Sequence, residues 1–99
     1  MLTREGAQLQ VLLELRSRHG LRSGPEELVI MEEHTIERSW GWVFFWTTRG
    51  WLNGDHRYAV GGNAPILIDR HDGSMRGCPT SRSIEECISE YERGSVTNK

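Results

Sequence analysis

Cys78 and Cys87, with His34, His56 and His71, are the residues here whose types could do chemistry. A thiolate activated by an imidazole base would be a nucleophile for acyl or group transfer. Cys87, however, falls on the apolar stripe of the last amphipathic segment, where cysteine behaves as a small hydrophobe. Cys78 precedes Pro79 at a strand end, and neither thiol sits in a local signature of a cysteine nucleophile. Two cysteines are too few for a disulfide framework, so both are expected as packed, reduced thiols.

Metal binding fares no better. The histidines at 19, 34, 56 and 71 form no His-x-x-His or Glu-x-x-His pair. His56 beside Asp55 and His71 beside Asp72 point to opposite sides of an extended chain. The Gly61-Gly62-Asn63 run is followed by Pro65 and a strand rather than by a basic residue and a helix. It reads as a tight turn, not a phosphate cradle. No catalytic, cofactor-binding or metal-ligating residue is therefore expected, and the chain is not read as an enzyme.

Recognition chemistry is the stronger signal. All four tryptophans lie between positions 40 and 51. Trp40, Trp42, Phe44 and Trp46 share one parity, which in a strand places them on one face, with Val43 and Phe45 opposite. Core packing is the default for at least two of the indoles. Trp40 and Trp51, at the ends of the aromatic segment, are the two expected to be exposed. Acidic residues flank them: Glu26, Glu27, Glu32, Glu33, Glu37 and Asp55. Exposed indoles with a charged rim are the composition of a protein-binding hot spot. The candidate partner-binding residues are Glu33, Glu37, Trp40, Trp51, Asn53, Asp55 and His56.

The elements that must position these residues can be read in order. A helix is expected over 3–19, capped by Thr3, stopped by Gly20, with a broad apolar face of Leu9, Leu12 and Leu13 flanked by Val11 and Leu15. Residues 20–27 form a linker broken by Gly24 and Pro25. Strands are expected over 28–36 and 40–48, paired antiparallel, then a connection over 49–55 and a short strand over 57–60. Strands 66–69 and 74–78 flank a hairpin turn at Asp72-Gly73. Ser83 and Glu86 make a capping box for a helix over 83–93, with Ile84, Cys87, Ile88 and Tyr91 as its stripe and Gly94 as its end. The tail 95–99 is expected to be loose.

That order predicts an α+β fold, 1–99 as one domain: an N-terminal helix, an antiparallel sheet of four to five strands over 28–78, and a C-terminal helix. Both helices are expected on one sheet face. The other face would then be polar, self-associated as a homodimer or bound to another molecule.

Ninety-nine residues, 36% hydrophobic and 26% charged, fit one globular core rather than a disordered chain. A net charge of −2, one lysine and scattered arginines argue against nucleic acid as the main partner. No stretch is apolar enough to cross a membrane and no secretory signal is evident. With reduced thiols, this predicts a cytoplasmic protein.

Gly41-Trp42-Val43-Phe44-Phe45-Trp46, Gly62-Asn63-Ala64-Pro65-Ile66-Leu67-Ile68-Asp69, Asp72-Gly73, and Ile84-Glu85-Glu86 through Tyr91-Glu92 together resemble the immunity protein 35 (YrhB-like) family of bacterial polymorphic toxin systems. The resemblance covers about residues 28–93, and the leading helix fits the family layout. Two places depart from it: Gly77-Cys78-Pro79-Thr80 after the hairpin, and Cys87 in the last helix. The resemblance implies a non-enzymatic immunity protein that neutralises a cognate toxin by stoichiometric occlusion. The alternative it carries is a small chaperone-like protein that binds unfolded clients. The motif residues look structural, so it transfers no binding site.

Overall fold

The computed structural model describes residues 1–60 and 63–97. Helix α1 (Arg4–His19) starts where Thr3 Oγ1 accepts the Gly6 N–H at 3.1 Å, and it stops at Gly20, whose N–H reaches Arg16 O. Its buried residues are Ala7, Val11 and Leu15. Leu9 and Leu13, expected on the apolar face, point outward and are each 54% exposed. The 3.6-residue period aligns Ala7, Val11 and Leu15 instead, and small Ala7 lets the helix approach the sheet.

The expected strands 28–36 and 40–48 do pair antiparallel, but each is split. Strand β1 (Leu28–Ile30) pairs with β4 (Trp46–Thr48), and β2 (Ile36–Arg38) pairs with β3 (Gly41–Phe44). Residues 31–35 of one arm face only residues 44–45 of the other. The surplus is taken up in a 3-10 turn, Glu32–His34, beginning at Met31, whose N–H still donates to Phe45 O at 2.7 Å. The polar run Glu32-Glu33-His34 cannot remain on a strand with a buried face, so it is extruded.

The chain then departs twice from expectation. Arg49–Leu52 forms a single helical turn, α2, rather than an open connection. His56–Tyr58 is a 3-10 turn, and no strand forms over 57–60. Strands β5 (Ile66–Asp69) and β6 (Met75–Gly77) form the expected hairpin, closed by Asp69 N–H to Ser74 O at 2.9 Å, with Gly73 at φ 73°. The sheets are thus two: β1-β4, and β2-β3-β5-β6, all antiparallel. Helix α3 (Ile84–Thr97) has the predicted capping box, with Ser83 N–H to Glu86 at 3.0 Å and Glu86 N–H to Ser83 Oγ at 3.2 Å. It runs through Gly94 rather than ending there. Asn63 Nδ2 donates to Trp46 O at 3.0 Å, as its turn role requires. Gly61 and Gly62 of the expected turn, and Asn98 and Lys99 of the tail, lie outside the described residues.

The α+β class is as expected, but the helices lie on opposite faces. One core joins Ala7, Val11 and Leu15 of α1 to Trp42, Phe44, Trp46, Ile66 and Ile68. The other joins Val43 and Leu67 to Trp40, Cys78, Cys87 and Ile88 beneath α3. Alternation in β3 and β5 sends successive side chains to the two cores, so one sheet needs two covers. The uncovered face that suggested a bound partner or second subunit there is absent, since both faces of the four-stranded sheet carry a helix.

Two expectations fail with it. Trp40 is buried, at 9% exposure, in the α3 core rather than beside Trp42. Trp40 lies in the turn before β3 rather than on the strand, so the parity shared by Trp42, Phe44 and Trp46 does not extend to it. Cys78 and Cys87 are joined in a disulfide, with Cα atoms 5.9 Å apart, and are not free thiols. The hairpin and the helix stripe bring them to one spot, which a separation of nine along the chain does not reveal.

Candidate interaction surface

The segment 48–58 folds back on itself to present one indole. Thr48, almost fully buried, has its Oγ1 accepting the Trp51 N–H at 3.1 Å while donating to Tyr58 O at 2.6 Å. Gly50 lies so close to Tyr58 that a Cβ there would meet its Cδ2 at 2.6 Å. Asn53, Gly54 and Asp55 return their N–H groups to Arg49, Trp51 and Gly50 carbonyls. Arg49 anchors the base through Glu27, both backbone N–H to O at 2.8 Å and Nε to Oε1 at 2.9 Å. Much of the backbone of this projection is thus tied down by hydrogen bonds within it and to Glu27, which leaves its side chains free to face outward.

Trp51 stands 37% exposed with His56 set edge-on against it, ring centroids 4.6 Å apart at 90°. Leu52, beside it, is 52% exposed. Asp55 holds Arg57 in a two-pronged pair, Oδ2 to Nη2 at 2.7 Å and Oδ1 to Nε at 3.0 Å. Those hydrogen bonds hold the Asp55 carboxyl below its ordinary range and push the Arg57 guanidinium up.

Leu52 also lines a groove of about 410 Å³ with Ile30, Met31, Glu32, Glu33 and His34. Its floor is the end of β1 and its lip is the extruded 3-10 turn. Neither the Glu32 nor the Glu33 carboxylate has an ion-pair partner among the described residues. The His34 ring lies edge-on to Phe45 at 6.3 Å. The surface therefore offers an aromatic and aliphatic knob beside an acidic-walled, apolar-floored groove. Such a surface suits recognition: a desolvated anchor with charge at its margin.

Of the residues expected to bind a partner, the fold brings Trp51, Asn53, Asp55 and His56 into one projection, and Leu52 joins it to Glu33. Glu37 and Trp40 lie elsewhere. Glu37 pairs with Arg70 at 3.2 Å on the edge strand β2. Trp40 donates its Nε1–H to Glu92 at 3.0 Å and packs on Tyr91 with centroids 4.4 Å apart. Sequence reasoning missed Met31, His34 and Leu52. Leu52 carried a readable signal, an apolar neighbour of Trp51 just before the Asn53-Gly54 turn. Met31 and His34 carried none, because their role depends on the extrusion.

The other titratable sites hold structure. His71 Nδ1 lies 3.2 Å from Asp69 Oδ1, and the Tyr91 hydroxyl donates to Asp69 Oδ2. Burial alone would push the Asp69 carboxyl up; hydrogen bonds from Tyr91 and His71 outweigh it and hold the group below its ordinary range. Burial, then the Asp69 bond, push the Tyr91 phenol up to about 12. Among the described residues, no three His, Cys, Asp or Glu side chains gather as a metal site. No helix there is long and apolar enough to cross a membrane.

A protein of Escherichia coli (strain K12), YrhB, described as uncharacterized, is 36% identical over 60 residues, 60% of this chain. The match spans 64% of that protein's length. No solved structure matches. The sequence model of immunity protein 35 matches residues 7–93, which run from the buried Ala7 of α1 through both sheets and into α3. On that coverage, the chain belongs to the immunity protein 35 family.

Proposed function

We propose that this protein neutralises a cognate toxin by binding it at the Trp51–Leu52 projection and the groove beside it. The observation that carries the reading is Trp51 itself: an indole held out on a hydrogen-bonded turn, with acidic side chains that have no ion-pair partner alongside. Large aromatics at the centre of an interface supply most of its energy, and charges at the margin set encounter and register. Family membership supplies the kind of partner, a toxin; the unpaired carboxylates supply its chemistry, a surface with a hydrophobic recess and neighbouring Lys or Arg. Binding over the toxin's working surface is sufficient for inhibition, and no step here needs a reacting group from this chain. Glu33, Trp51, Asn53, Asp55 and His56 are its contact residues. The cytoplasmic location expected from two free thiols loses that support, since the pair is bonded.

The direct test is co-expression with a candidate cognate toxin, sought first among the genes neighbouring this one. Growth should be restored by the native chain and not by Trp51→Ala, and the purified pair should form a one-to-one complex. Trp51→Ala should weaken that complex by at least about 2 kcal/mol, with little change in melting temperature. Sedimentation of the protein alone separates a second copy on this surface from a toxin. Suppressed aggregation of unrelated unfolded proteins, with no effect on the toxin, would replace the reading by a chaperone-like one.

A further inference from the structure

The disulfide joins the end of the β5–β6 hairpin to the first turn of α3. Cys78 ends the hairpin and is pinned to it, its N–H donating to Pro65 O at 2.8 Å. Cys87 sits one turn into α3, on the buried stripe with Ile84, Ile88 and Tyr91. The loop between them, residues 79–83, is exposed throughout. Beyond the bond, α3 is attached chiefly at its next turn: Tyr91 on Trp40, Tyr91 to Asp69, and Glu92 to the Trp40 indole. The disulfide, the apolar packing of Ile84 and Ile88, and this aromatic-polar cluster thus hold the helix over its sheet face.

We infer that the Cys78–Cys87 bond is a redox-operated clamp that sets how firmly α3 covers the Trp40–Val43–Leu67 face. Reduction by a dithiol transfers two electrons and two protons to the pair, leaving two thiols, while the dithiol closes to its own disulfide. The structure is arranged to hold the reduced form as well: Pro79 O and Ser83 O lie 3.7 and 4.0 Å from Cys78 Sγ, within reach of an S–H donor. Both sulfurs are nearly buried, Cys78 at 2% and Cys87 at 8% exposure, so a reductant reaches them only when α3 lifts. The bonded state therefore guards its own clamp, and the reduced state frees the helix to lift. This device is independent of the toxin surface, which lies on α2 and the extruded turn.

Alkylation and amide exchange on the intact wild-type protein test it together. Protein prepared in air should take up no thiol-alkylating reagent until treated with dithiothreitol, and two equivalents afterwards. On reduction, amide exchange across residues 84–94 should accelerate about tenfold or more, the scale expected from removing a short cross-link, while α1 exchanges as before. The double variant Cys78→Ala with Cys87→Ala should show the fast exchange with or without dithiothreitol. Two thiols reactive at once in the air-prepared protein would overturn the inference. So would a bond whose reduction leaves exchange in α3 unchanged.

Discussion

The two end tryptophans of the aromatic segment sit in different environments, one buried and one exposed, and different mutational signatures follow. Trp40 fills the α3 core and makes a hydrogen bond through its indole. Trp40→Ala should cost roughly 3–5 kcal/mol of stability, the range for truncating a buried Trp, measured by urea unfolding. Trp51→Ala should leave the unfolding midpoint within a few tenths of a molar of the native chain, while weakening the toxin complex. The Tyr91–Asp69 pair gives a pH signature at the same scale. It needs an ionised Asp69 and a protonated Tyr91. Asp69 has its folded pKa depressed, so its contribution is present above the unfolded carboxyl range and is lost as pH falls through the folded value. Tyr91 has its folded pKa raised to about 12, so its contribution is present below the unfolded phenol range and is lost as pH rises through about 12. Denaturation of Asp69→Asn across pH 2–6 should show a flatter acid limb than the native chain. An equally steep limb would place the acid sensitivity in other carboxylates.

At the scale of elements, Gly41 is the least replaceable residue of the sheet. It sits at φ 158° where β3 leaves the turn, and its backbone lies against Ile68 O of β5. A methyl group there meets backbone rather than a flexible side chain, so the strands must separate. Gly41→Ala should cost roughly 2–4 kcal/mol, among the large single-residue effects, by thermal or urea unfolding. The extruded turn is the second informative element. Deleting Glu32–His34 should let β1–β4 and β2–β3 approach one continuous ladder, and it would remove the groove with its acidic lip. The deleted protein should keep its circular dichroism and lose toxin binding.

For the whole molecule, net charge is small, at −2, so long-range attraction must come from its local arrangement. Glu32 and Glu33 are exposed on one lip, and neither carboxylate has an ion-pair partner among the described residues, the Arg4 guanidinium there binding the Glu32 carbonyl oxygen instead. Rates of association with the toxin should therefore fall with added salt, since the Debye length is only about 8 Å at physiological ionic strength. Glu32→Gln with Glu33→Gln should slow association several-fold at low salt and flatten its salt dependence, with little change in dissociation. Stopped-flow mixing at two ionic strengths reads both.

Local signals were enough for much of the fold. Thr3, Ser83 and Glu86 marked helix starts because capping is a contact over three residues. Asp72-Gly73 marked the hairpin because only a few residue types fit that turn. The family motifs and the α+β class were legible for the same reason. What needed the third dimension was everything set by which surfaces meet. The two helices lie on opposite faces because β3 and β5 bury residues of both parities. Trp40 leaves its aromatic neighbours because it sits in the turn before β3 and not on the strand. The cysteines bond because a hairpin end and a helix stripe converge across nine residues. The candidate surface exists because a surplus polar stretch had to leave the ladder beside Trp51 and Leu52. Spacing along a chain reports its neighbours within a turn or two; burial, pairing and exposure depend on segments that spacing leaves unrelated.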